Sequence, residues 1–143
     1  MTIDEIKLEI IAEFNVFDDW MDRYDYLIGQ CKKMKPLNEQ YKTEDNLIEG
    51  CQSRVWLHAF LNEKGQVVFD ADSDTIITKG MIALLIRVFS NQKPSDILNA
   101  DINFLDQIGL KEQLSPNRSN GLMAMVKQLK LYALAYDSKY SKA

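Results

Sequence analysis

Val55-Trp56-Leu57-His58-Ala59-Phe60-Leu61-Asn62-Glu63-Lys64-Gly65-Gln66-Val67-Val68-Phe69-Asp70-Ala71 decides the fold of this chain. Val55, Leu57, Ala59 and Leu61 alternate with Trp56, His58, Phe60 and Asn62. A period of two with one wholly apolar side is the pattern of a half-buried strand. Glu63-Lys64-Gly65-Gln66 supplies a hairpin turn, and Val67 to Ala71 reads as the returning strand. Asp72-Ser73-Asp74 ends that strand and leads toward Thr75. The apolar side of the first strand needs cover. Trp56, His58 and Phe60, on the other side, need partial cover from loops or the terminal helices, or they form an exposed apolar patch suited to a partner.

Helical periods lie on both sides of the hairpin. Ile3, Ile6, Ile10 and Phe14 share one face of a first helix. Phe17, Trp20, Met21, Tyr24, Leu27, Ile28 and Cys31 form the stripe of a second. Asp18 and Asp19 sit in its first turn and Lys32, Lys33 and Lys35 follow its end, as the helix dipole favours; Pro36 stops it. Residues 36 to 46 read as a polar loop. After the hairpin, an apolar helix runs from about Thr78 to Phe89, and Gly80 permits close approach of another backbone. Short turns follow at Ser95 to Leu98 and Phe104 to Gly109. Ser115-Pro116 opens a last long helix, serine as cap and proline in the first turn, with Leu122, Val126, Leu129, Ala133 and Tyr136 as its stripe. The expected fold is α/β of the α+β kind: a small antiparallel sheet of about three strands flanked by helices, in a single domain over residues 1–143.

Composition narrows the function. The chain has 143 residues, 46% of them hydrophobic, enough for a real core. A net charge of -4 argues against general nucleic-acid binding, which needs a basic surface. Two cysteines make no disulfide framework. Met1 to Glu13 lacks the pattern of a signal peptide, and no apolar run reaches membrane-spanning length. A cytoplasmic setting without membrane partners is expected. With two cysteines and one histidine in no close ligand motif, no metal site is expected. No phosphate-cradling glycine loop occurs.

The candidate chemistry lies just before the hairpin, at Gly50-Cys51-Gln52-Ser53-Arg54-Val55-Trp56. Gly50 turns the chain and presents Cys51 at the tip of a rigid element. Backbone N–H groups of that turn, or Arg54 and His58 if the fold brings them close, would favour the thiolate. The alternative is that Cys51 merely packs beneath the loop, and local chemistry leaves the two readings even. His58 as base in a Cys51 hydrolase is weighed and set below a plain strand role. Cys31 continues an apolar stripe and reads as structural. Ser115 to Gly121 caps the last helix, and can also offer Arg118 and helix N–H groups to an anion.

These residues together resemble the SufE family of sulfur-acceptor proteins. Gly50 to Trp56 is similar to its Gly-Cys-Gln-Ser-x-Val-Trp signature, and Leu114 to Leu122 resembles its second motif. Asp72-Ser73-Asp74 with Ile77 and Lys79-Gly80 resembles its middle, and Arg23 to Ile28 its early helix. The loop from Lys35 to Asp45 finds no close match. The resemblance implies an IscU-like fold and an accessory sulfur-transfer protein that is not an independent enzyme. Cys51 would take persulfide sulfur from a cysteine desulfurase of the SufS or CsdA kind, stimulate that enzyme, and pass the sulfur to iron–sulfur scaffold proteins. Pyridoxal phosphate would belong to the desulfurase, with no cofactor on this chain. Gly50, Gln52, Ser53, Arg54, Asp74 and Arg118 would support the loop or dock the partner. The loop is expected to rest partly buried and to extend on docking, with Gly50 as hinge. The rivals are an iron–sulfur scaffold, a cysteine-dependent hydrolase and an interaction module with an inert Cys51.

Overall fold

The hairpin is present in the computed structural model, which describes residues 1–141. Strand β1 (Val55–Leu61) pairs antiparallel with β2 (Val67–Ser73), placing Val55 opposite Ser73 and Leu61 opposite Val67. The turn closes because Asn62 Oδ1 accepts the N–H groups of Lys64 and Gln66, each at 3.0 Å. Gly65 takes the positive φ, +76°, that the turn requires. Val55, Leu57, Val67, Phe69 and Ala71 all point inward and are buried.

The sheet has two strands among the described residues, where about three were expected. The third place is held by a single bridge, Leu47 to Trp56. Two 3-10 turns, Glu39–Tyr41 and Glu44–Asn46, occupy the polar run before it, and the chain turns away at Gly50 directly after it. No length of extended chain remains to pair.

Before the hairpin stand α1 (Ile3–Asn15) and α2 (Trp20–Gly29). A reciprocal cap between Thr2 and Glu5 starts α1, and Asp19 starts α2. After Gly29 the chain tightens into a 3-10 turn, Gln30–Lys33, so Cys31 leaves the α-helical stripe it was expected to continue. After the hairpin come α3 (Ile76–Phe89), α4 (Pro94–Asn99), α5 (Asn103–Gln107), α6 (Leu110–Gln113) and α7 (Pro116–Ser141). Helix α3 is buried on almost every side and packs on both α2 and β2. Gly80 permits this. A Cβ there would lie 2.7 Å from the Leu27 carbonyl oxygen and 3.1 Å from Ile28 Cα. Helix α7 closes the core with Leu122, Met125, Leu129 and Ala133. Each large side chain fully buried in this way contributes about 2 kcal/mol. No helix among the described residues is long and apolar enough to cross a membrane.

Cover for the outer face of the hairpin comes from the 36–46 loop. Tyr41 stacks on His58 with ring centroids 3.7 Å apart. Lys42 Nζ lies 5.8 Å above the Trp56 ring and pairs with both Asp72 and Glu39 at 2.9 Å. Phe60 stays exposed. On the far side of α3, Arg87 donates to Glu13 at 2.8 Å and to Glu9 at 2.7 Å, and Tyr26 donates to Glu13 as well. The Arg87 guanidinium holds the Glu13 carboxyl down to about 2.

Candidate functional site

The hairpin also shapes the loop that carries Cys51. Ile48 N–H donates to the Val55 carbonyl at 2.9 Å, just inside the Leu47–Trp56 bridge, and pins the loop at its base. The second foot is anchored by β2. Arg54 N–H donates to Asp74 Oδ1 at 3.0 Å, Asp74 N–H donates back to the Arg54 carbonyl at 3.2 Å, and the Ser73 hydroxyl donates to the same carbonyl at 2.8 Å. Gly50 has φ +94°, a conformation that opposes any side chain, and a Cβ there would meet Ala124 Cβ at 3.1 Å. The loop therefore lies against the first turns of α7, where small residues make room for it.

Cys51 is half-buried in this seat. Its Sγ lies 3.6 Å from the Gly121 carbonyl oxygen, to which the thiol donates. Burial pushes the Cys51 thiol up from its ordinary value. A carbonyl acceptor and a desolvated position both favour the protonated form, so at rest the group is a thiol. Beside it is a cavity of ≈160 Å³ lined by Cys51, Gln52, Ser53, the start of α3 and the start of α7. One wall is polar: Thr75 Oγ1 donates to Ser53 Oγ at 2.9 Å, and Thr78 Oγ1 reaches the same oxygen at 3.3 Å. Asn117 and Arg118, exposed in the first turn of α7, stand at its rim. Ser115 caps that turn, its Oγ 3.4 Å from Arg118 N.

Of the residues singled out from sequence, Cys51, Gln52, Ser53 and Arg118 line this cavity. Gly50 shapes the turn, and Arg54 and Asp74 tie the loop to the hairpin. Arg54 and His58 do not line the cavity, and His58 lies flat on Tyr41. Thr75 and Thr78 were missed. The hairpin register pointed to the first of them: continued past Val55 and Ser73, it sets Ser53 across from Thr75. Cys31 lies apart from the cavity, its Sγ 3.9 Å from the Ile76 carbonyl oxygen. Among the described residues, no group of three or more His, Cys, Asp or Glu side chains is placed to hold a metal ion.

The geometry defines a mixed helix-and-hairpin protein built around one loop-borne thiol. The family described as SufE, an Fe–S metabolism associated domain, matches residues 8–133. SufE-like protein 1, chloroplastic/mitochondrial, of Arabidopsis thaliana is 39% identical over 131 residues, covering 92% of this chain and 35% of that protein. This chain thus spans little more than a third of that relative. The solution structure of a hypothetical protein from Thermus thermophilus superposes with a TM-score of 0.76 at 21% identity, covering 93% of this chain and 96% of the other, and shares the fold. The chain belongs to the SufE family.

Proposed function

We propose that this chain is a sulfur acceptor in iron–sulfur metabolism. The Cys51 thiolate attacks the outer sulfur of a persulfide on a cysteine desulfurase. A new S–S bond forms on Cys51 as the partner's S–S bond breaks, and the partner cysteine leaves as thiolate. No net oxidation occurs. The loaded protein then passes that sulfur to an iron–sulfur scaffold, and removal of product sulfur stimulates the desulfurase. Pyridoxal phosphate belongs to the partner, and this chain contributes no cofactor.

One observation carries the reading: a half-buried Cys51, its Sγ against the Gly121 carbonyl, on a loop pinned at both feet beside a cavity that it lines. A thiol so held is shielded from small thiols and oxidants. It becomes a nucleophile when the loop leaves the Gly121 carbonyl on docking, with Gly50 as the hinge and Arg118 at the rim to meet the partner. A hydrolase is disfavoured because His58 is engaged with Tyr41 away from the cavity. A cluster scaffold would need further ligands beside Cys51, and Cys31 sits elsewhere.

The test is incubation with a desulfurase and free cysteine, followed by intact-mass analysis and peptide mapping. One added sulfur on Cys51 is expected. Continued labelled-sulfur transfer by Cys51→Ser would sink the assignment.

A further inference from the structure

Thr75 occupies the N-cap position of α3 but makes no cap bond. A threonine there ordinarily accepts from the N–H of the second or third helical residue, which stabilises by ~1 kcal/mol. In α3 those residues are Ile77 and Thr78, and both line the Cys51 cavity. Thr75 directs its hydroxyl to Ser53 instead, at 2.9 Å. Thr78, whose hydroxyl in a helix can bond back to the preceding turn, lies 3.3 Å from the same oxygen. Three hydroxyls carry three protons, and two mutual contacts use two of them. However the rotors are set, one proton is left for an acceptor outside the trio. All three side chains wall the cavity that Cys51 lines.

We propose that Ser53, Thr75 and Thr78 hold the outer sulfur of a Cys51 persulfide as its anion. The inference rests on Cys51 being a sulfur carrier. A persulfide places its outer sulfur ~2 Å beyond Sγ. Sγ itself sits against the Gly121 carbonyl, whose partial negative charge repels an anion. The outer sulfur therefore turns toward donors. The hydroxyl trio supplies a proton, and the first-turn N–H groups of α3 carry no side-chain cap. Ionisation releases the persulfide proton to solvent, and the hydroxyls stay neutral donors. The resting thiol is held by a carbonyl acceptor and the loaded sulfur by hydroxyl donors, so one cavity serves two protonation states.

The test uses the full chain with Cys31→Ser, so that only Cys51 reacts. The protein is loaded with a desulfurase and cysteine, one added sulfur is confirmed by intact mass, and alkylation is followed across pH. The unloaded thiol is measured in parallel. Ser53→Ala, Thr75→Val and Thr78→Val combined, which leave no hydroxyl to donate, should raise the alkylation midpoint of the persulfide by about one pH unit, a tenfold loss of anion below it. The midpoint of the unloaded thiol should stay in place, and Ser53→Thr with Thr78→Ser, which keep all three hydroxyls, should retain the parent profile. A persulfide midpoint equal to the parent's in the hydroxyl-free variant overturns the inference. So do loaded and unloaded midpoints that move together, as a packing defect would make them. Failure of the parent to load any sulfur on Cys51 strikes the carrier reading itself, and is thereby told apart from failure of the hydroxyl trio.

Discussion

Cys31 and Cys51 are alike in every respect that a thiol alone can show. Each is half-buried, each donates to a backbone carbonyl, and each is pushed by burial above its ordinary value. What differs is the surroundings. Cys31 sits in a 3-10 turn, with Lys79 favouring its thiolate and Asp72 opposing it. At Cys51 burial is the cause of the rise, and the thiol has space, a polar wall and a loop whose backbone can turn at Gly50. Thiolate chemistry is usually sought where cations lower a pKa. In this molecule the candidate site is marked by volume and by the way its loop is attached, while Cys31, the thiol with Lys79 nearby, does not line that cavity.

The largest effect separates the two outright. Cys51→Ser should reduce sulfur uptake from a desulfurase to background, and Cys31→Ser should leave the rate unchanged; equal losses in a labelled-sulfur assay would erase the contrast. Next comes a change that strikes both. Gly80→Ala forces α2 and α3 apart, and α3 begins with the Ile76 carbonyl at Cys31 and Thr78 at the Cys51 cavity. It should cost about 2–3 kcal/mol in urea unfolding, with both thiols alkylating faster.

Two smaller changes act on one side each. Arg87 also donates to Gln30 Oε1, in the turn that carries Cys31, at 3.2 Å, so Arg87→Met removes a brace of that turn and should cost about 2 kcal/mol at neutral pH. Its signature is in the acid range. Glu13 has its folded-state value lowered from 4.5 to about 2. Its contribution is therefore complete above the unfolded value and is lost as pH falls through the folded one. Chemical denaturation at a series of pH values should show that acid-dependent loss in the parent and a smaller one in Arg87→Met, where Tyr26 and Lys33 still hold Glu13 ionised. Gly50→Ala disturbs only the Cys51 loop. It should cost about 1 kcal/mol and speed alkylation of Cys51 without touching Cys31. The smallest effect is in the unmodified chain: at neutral pH both cysteines should alkylate more slowly than in urea, and rising pH should close the gap.

Much of this was legible in sequence because it is local. Alternation over Val55 to Leu61, turn chemistry at Gly65, and the Ser115-Pro116 cap each depend on neighbours a few residues away. Cys51 after Gly50 was legible for the same reason. The third strand failed because a single apolar pair, Leu47-Ile48, carries no period. Whether Arg54 and His58 would come close to Cys51 was left open, because strand alternation fixes which face a side chain takes but not what covers that face. Tyr41 and Lys42 cover it from a loop that had no period to read. Glu13 with Arg87 is joined across 74 positions, a distance at which only packing decides. Ser53 with Thr75 and Thr78 is the intermediate case, since the hairpin register implied the meeting of two elements that were read separately.

The bridge between Leu47 and Trp56 has an optical consequence. One of the two tryptophans of the chain sits at the foot of the Cys51 loop, under the Lys42 ammonium and next to the Ile48–Val55 bond that any extension of the loop must strain. The other, Trp20, lies on α2 and packs near Tyr24. The protein thus carries an emitter coupled to the loop and a reference emitter remote from it in sequence. With Trp20→Phe, movement at Cys51 can be followed by indole emission in solution, with no label attached to the thiol under study.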